Sequence, residues 1–164
     1  MKANDVVDLY RKLKDADVRV WVDGGWCVDA LLGEHTREHS DLDLAVDCDH
    51  ADNLIQVLAQ PGFSRDESHD DSDWNFVLSD LCSRRIDVHV FHFDRSGRHV
   101  YGVAYLREAL SGVGVIAGQS VECIAPEWIY RFKTSYQPAE KDLADIRGLC
   151  AKFGFPVPQD HRRD

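Results

Sequence analysis

The spacing of apolar residues changes several times along the chain, and each change marks an element. Val6, Val7, Leu9, Tyr10 and Leu13 recur at helical spacing, so 4–14 reads as an amphipathic helix with Asn4 as candidate N-cap. VRVWV (18–22) reads as a strand that Gly24 and Gly25 end, and WCVDALLG returns to a helical pattern that Gly33 stops. DLDLAV (41–46) alternates with period two, and HADNLIQVLAQPG is helical, capped near Asp49 and broken by Pro61 and Gly62. WNFVLSD and RRIDVHVFHFD predict an antiparallel pair turning near Ser83, and GVIAGQSVECI predicts a hairpin turning at Ala117 and Gly118. Pro126 suits an early residue of a helix reaching Tyr136, and AEKDLADIRGLCAKFG predicts a last helix with Leu143, Ile146, Leu149 and Cys150 on one face. The first half of 95–118 shows no clear period. The order is that of an α/β (α+β) protein, a small mixed sheet flanked by helices and ending in helices, with 1–158 as a single domain and 159–164 as a frayed tail.

Composition narrows the class. A chain of 164 residues with 44% hydrophobic and 29% charged side chains suits one globular domain with a real core. No apolar run approaches the roughly 18 residues of a membrane span, and the start lacks a signal-like stretch, so we expect a cytoplasmic protein with no membrane partner. The five cysteines are odd in number and never in a CxxC pair, which opposes a disulfide framework or zinc knuckle; Cys27 and Cys48 read as small buried apolar residues. A net charge of −10 without a basic block opposes nucleic acid as a partner. A cationic small molecule, or an anionic one neutralised by metal or a local basic cluster, remains as the ligand class.

The chemistry concentrates in the alternating strand. Asp41 and Asp43 lie about 7 Å apart on one side of it, while Leu42, Leu44 and Val46 face the core. Like charges so placed raise one another's pKa and are usually held by a shared cation, for which magnesium, with its hard oxygen ligands, is the natural candidate. Asp87, flanked by Ile86 and Val88, offers a third carboxylate from a neighbouring strand, although a lone strand aspartate is as often an exposed edge residue. Gly24 and Gly25 allow close backbone approach and present the N–H groups of the following helix to an anion; alone, such a pair is more often a tight turn. His89 and His92, three apart on a strand, face opposite sides and make poor zinc co-ligands.

GGW followed eleven residues later by REHSDLD resembles the signature of the nucleotidyltransferase superfamily, in which a Gly-Gly or Gly-Ser turn precedes a DxD pair on the next strand. The stretch WVDGGWCVDALLGEHTREHSDLDLAV is similar to the short lincosamide nucleotidyltransferases and, somewhat less closely, to the aminoglycoside 2''-nucleotidyltransferases. The resemblance implies a nucleotidyltransferase fold in which Asp41, Asp43 and Asp87 are catalytic and bind one or two magnesium ions. It places the phosphates of a nucleoside triphosphate at Gly24 and Gly25, with Arg37, His39 and Ser40 on the nucleotide side. Lys133 is a further candidate for a phosphate, against the commoner solvated role of a helical lysine. The implied reaction transfers a nucleoside monophosphate to a hydroxyl of a lincosamide antibiotic, with an aminoglycoside as the alternative acceptor. A toxin-like or tRNA-modifying enzyme shares the same core, but the acidic balance opposes it. The stretch SRDESHDDSDW, with Asp66, Glu67, Asp70, Asp71 and Asp73, would attract a polycationic aminoglycoside, although a solvated loop is its commoner role. Short enzymes of this kind tend to pair, so the resemblance also implies a homodimer whose second subunit completes the acceptor pocket.

Overall fold

Alternation along the strands decides what faces what. The computed structural model describes residues 1–67 and 72–158; Asp70 and Asp71 of the acidic stretch and the tail 159–164 lie outside the described residues. The elements run α1 (Ala3–Asp15), β1 (Val20–Asp23), α2 (Gly24–Leu32), β2 (Asp41–Asp47), α3 (Cys48–Ala59), β3 (Ser64–Arg65), β4 (Asn75–Ser79), β5 (Arg85–Phe93), β6 (His99–Gly102), a 3₁₀ turn (Arg107–Ser111), β7 (Gly112–Ile116), β8 (Gln119–Cys123), α4 (Pro126–Thr134) and α5 (Glu140–Phe153). The mixed α/β architecture is the expected one.

The sheet order is β3-β4-β5-β2-β1-β8-β7, with β6 paired to β5. β2 is central, antiparallel to β1 and parallel to β5, and β1 in turn runs parallel to β8. α2 packs with α4 and α5, and α1 with α3, against the sheet. Leu42, Leu44 and Val46 are buried, as the alternation predicts, together with Ile86, Val88 and Val90 of β5. No helix among the described residues is long and apolar enough to cross a membrane.

Several boundaries differ from the sequence reading for local reasons. α1 starts before Asn4, because the carboxylate of Asp5 accepts from the Lys2 N–H at 3.1 Å and secures the first turn. The cap of α3 is Asp47, whose side chain accepts from the Asp49 N–H at 3.1 Å. β6 lay in the segment without periodicity, being four residues long and half exposed. α4 ends at Thr134, short of Tyr136, and Leu143 of α5 is only half buried, whereas Asp142 and Asp145 are buried on that helix.

Leu44→Ala should destabilise the protein by about 2–5 kcal/mol in urea unfolding, since the central strand cannot collapse around the lost side chain. Leu81→Ala, at a fully exposed position of the β4–β5 turn, should change stability by less than about 0.5 kcal/mol.

Candidate active site

Strand register, rather than any loop, assembles the carboxylates. Asp43 of β2 stands opposite Asp23 of β1 and Asp87 of β5, so three aspartates sit side by side across adjacent strands about 4.8 Å apart, and Asp41 follows one repeat along β2. Paired residues in a register point to the same face, and Gly24 at the start of α2 abuts Asp43. Burial pushes the Asp43 carboxyl up to about 8, helped by the charges of Asp23, Asp41 and Asp87 and only partly opposed by Lys133. Asp23, which the sequence reading passed over, is itself buried and doubly engaged. It accepts from the Gly24 N–H at 2.7 Å as N-cap of α2 and from the Tyr105 hydroxyl at 2.5 Å. That hydroxyl also lies 3.1 Å from Nδ1 of His89.

Gly24 and Gly25 form the first turn of α2 itself, and each is required by its neighbours. Gly24 has φ +58° and its missing side chain leaves the space that the Asp43 carboxylate occupies. A Cβ on Gly25 would strike the His39 ring and the Arg37 guanidinium. His39 is buried, with Nε2 2.7 Å from Asp29, and Asp29 also takes the ring of His35 at 2.8 Å and the hydroxyl of Thr36 at 2.6 Å. This bracket holds the segment leading into β2 against the start of α2. Ser40 is exposed immediately before β2.

The two basic candidates meet on α5. Arg37 donates from Nε and Nη2 to the two carboxylate oxygens of Asp145 at 3.1 and 2.9 Å, a bidentate pair. Lys133 is buried rather than solvated, with Nζ 3.0 Å from Asp142 and 2.8 Å from Asp145. Burial acts to lower the Lys133 pKa, but Asp145 and Asp142 outweigh it and raise it, so the ammonium stays charged. Two buried carboxylates thus hold two cations beside the glycines. A cavity of about 280 Å³ opens there, lined by Gly24, Asp43, His89, Tyr105, Phe132 and Lys133 among others. The structure therefore brings Asp41, Asp43, Asp87, Gly24 and Lys133 together, with Gly25, Arg37 and His39 behind them. Asp23, Tyr105, Asp142 and Asp145 are the functional neighbours that pattern reading missed. Asp23 was readable as the cap preceding a Gly-Gly helix start, and Asp142 and Asp145 as two charges three apart within an apolar stripe.

Four converging carboxylates, one of them driven toward neutrality by burial and by the charge of the others, make a donor set that fits a hard divalent cation. Lys133, which lines the same cavity, fits an anion next to it.

The sequence profile of the aminoglycoside-2''-adenylyltransferase family matches residues 5–149. A lincosamide resistance protein of Staphylococcus haemolyticus is 27% identical over 157 residues, covering 88% of this chain and 89% of that protein. A 2''-aminoglycoside nucleotidyltransferase of Escherichia coli is 25% identical over 164 residues, with 94% and 90% covered. Among solved structures, lincomycin-bound lincosamide antibiotic adenylyltransferase LnuA matches with a TM-score of 0.73 at 25% identity, over 88% of this chain and 91% of that one. ANT(2'')-Ia in complex with adenylyl-2''-tobramycin shares the fold with a TM-score of 0.75 at 21% identity, over 93% and 89%. The chain belongs to the aminoglycoside-2''-adenylyltransferase family and is an enzyme of the nucleotidyltransferase class.

The crowding of Asp43 has a measurable sign. A carboxyl that rises from 3.8 to about 8 on folding binds its proton more tightly in the folded state, so this group costs stability as pH climbs through that interval and no more above it. The melting temperature of metal-free Asp43→Asn should therefore gain on the parent from about pH 4 to pH 8, by roughly 2–4 °C for each kcal/mol. A difference that stays flat with pH would show that the carboxylates are not crowded. Gly25→Ala should weaken nucleotide binding at least about tenfold in calorimetry, roughly 1.4 kcal/mol, because the added methyl displaces His39 and Arg37; unchanged affinity would make Gly25 a plain helix residue.

Proposed function

We propose that the protein is a magnesium-dependent enzyme that transfers a nucleoside monophosphate from a nucleoside triphosphate to a hydroxyl of a lincosamide antibiotic, releasing pyrophosphate in the cytoplasm. The observation that carries this reading is that Asp23 and Asp43 line one cavity with Gly24 and the buried Lys133, with Asp87 in register beside Asp43. Magnesium, held by Asp41, Asp43 and Asp87, would neutralise the triphosphate and the charge developing at the α-phosphorus. The remaining work falls to the chain's own groups. The first turn of α2 would offer a phosphate its backbone N–H groups beyond Gly24, whose own N–H is taken by Asp23, and Lys133, fixed by Asp142 and Asp145, offers its third proton to a phosphate oxygen. Arg37 has its guanidinium fork on Asp145, so it contributes by holding that carboxylate and Gly25 in place. Asp87 accepts the proton of the attacking acceptor hydroxyl, and pyrophosphate leaves in line. Tyr105 and His89 orient Asp23 beneath this centre.

The acceptor follows from the cavity and the relatives together. Val103, Ile129, Phe132 and Tyr136 give one wall an apolar and aromatic character, which suits a neutral sugar with a single amine better than a polycation. The relative at 27% identity is a lincosamide resistance protein, and the lincomycin-bound enzyme is the solved relative at 25%. An aminoglycoside acceptor is the second reading, favoured by the family description and by the net charge of −10. The assembly that accompanies either reading is a homodimer.

Incubation with magnesium, ATP or GTP and a panel of lincosamides and aminoglycosides should yield a lincosamide heavier by one nucleotidyl unit, together with pyrophosphate, and nothing without divalent metal. Labelling of aminoglycosides alone would move the acceptor, and labelling of tRNA alone would remove the antibiotic reading. Asp41→Asn and Asp43→Asn should each lower kcat/KM well beyond tenfold, the roughly 1.4 kcal/mol that a mere perturbation would cost. Asp87→Asn should reduce kcat more than lincosamide affinity, as a group acting in the transition state does.

A further inference from the structure

The free edge of the sheet is built to pair with itself. β7 ends the sheet with GVGVI (112–116), a sequence nearly symmetric about Gly114, and its burial alternates. Gly112, Gly114 and Ile116 face α2, where a Cβ on Gly114 would strike Ala30, while Val113 and Val115 point to the other side, 65% and 46% exposed. The hydrogen bonds alternate as well. The β7–β8 hairpin turns through two residues of positive φ, Ala117 at +45° and Gly118 at +80°, and its register brings Ile116 opposite Gln119. In such a hairpin the flanking pair exchanges both hydrogen bonds, so Ile116, Gly114 and Gly112 aim their N–H and C=O groups at β8. Val113 and Val115 aim theirs outward, and no backbone bond outside the ladder takes them among the described residues.

Unpaired edges are ordinarily blunted by charge, proline, bulges or shortness. The other margins of this sheet show such devices: β3 is two residues long and carries Arg65, and β6 joins β5 through a bulge at His92 and Phe93 and follows Arg98. β7 shows none of them. Its register with β8 is unbroken, and the nine residues from Leu110 to Gly118 contain no charge in a chain whose charged share is 29%. Elsewhere the net charge of −10 would keep two copies apart.

We propose that β7 is the homodimer interface, pairing antiparallel with β7 of a second copy about a two-fold axis at Gly114. This register sets Val113 opposite Val115 of the second copy and Val115 opposite its Val113, with Gly114 facing Gly114. Both valine pairs are then of the hydrogen-bonded kind, giving four backbone bonds from groups that already point outward, and each brings two exposed valines into cross-strand contact. Gly114 occupies the close, non-bonded position, where Cα atoms approach to about 4.5 Å. The inference names the surface for the homodimer proposed above and does not depend on the reaction. β8 separates β7 from β1 and its Asp23, so each copy keeps its own row of carboxylates.

Sedimentation equilibrium tests it. The parent should show a concentration-dependent species of twice 18.6 kDa, tightening with salt as the repulsion between acidic copies is screened. Val113→Lys with Val115→Lys, and separately Val113→Glu with Val115→Glu, should each weaken dimerisation at least tenfold with an unchanged circular dichroism spectrum. Mixing the two variants should restore a heterodimer in native mass spectrometry, since lysines of one chain then face glutamates of the other. A parent that stays monomeric at every concentration would overturn both the homodimer and the edge. A dimer indifferent to these substitutions would overturn the edge alone, and variants that fail to restore pairing on mixing would overturn the antiparallel register.

Discussion

The structure depends on a repulsion it is built to hold. Asp23, Asp43 and Asp87 are fixed side by side by backbone hydrogen bonds of three central strands, so they cannot separate without breaking the middle of the sheet. The core beneath them, from Leu42 and Leu44 through Ile86 and Val88, supplies the stability that keeps them there. Each neighbour of the row reduces the strain in a different way. Gly24 and Tyr105 satisfy Asp23, Lys133 contributes opposite charge, and Asp43 shifts toward its neutral form. A carboxyl pushed up to about 8 by burial and by its neighbours' charge holds a proton that a cation bound beside it would displace.

The same constraint explains the role of α5. Asp142 and Asp145 are buried charges on an otherwise apolar helix face, and they persist because Lys133 and Arg37 pair with them. Removing one partner from such a buried pair typically costs about 3–5 kcal/mol, so the C-terminal helix is tied to the start of α2 by charge as much as by packing. Arg37 reaches this pair from the segment before β2, and His39 two residues on is bound to Asp29 of α2. The segment of Arg37 and His39 is thus largely a clamp, holding the glycine turn against the aspartate strand.

Much of this was legible from pattern. Alternation in DLDLAV placed Asp41 and Asp43 on one side, the flanking Ile86 and Val88 placed Asp87, and the glycine pair marked the start of a helix, because each depends on residues close in sequence. Asp23 was missed because its importance comes from cross-strand register, which joins residues twenty apart in β1 and β2. Lys133 was legible as a candidate for a phosphate but not as a buried residue, since the two carboxylates that pair with it lie on the next helix. β6 and the wall of the cavity around Val103 and Tyr105 carry no period, being short or irregular and held by tertiary contacts.

Asp43 should give up a proton when cation and nucleotide enter. Calorimetric titration of the protein with magnesium and a non-hydrolysable nucleoside triphosphate at pH 7, repeated in buffers of different ionisation enthalpy, counts that proton directly. The parent should release close to one proton per site, and Asp43→Asn none of it. Binding by the parent with no proton released would contradict it.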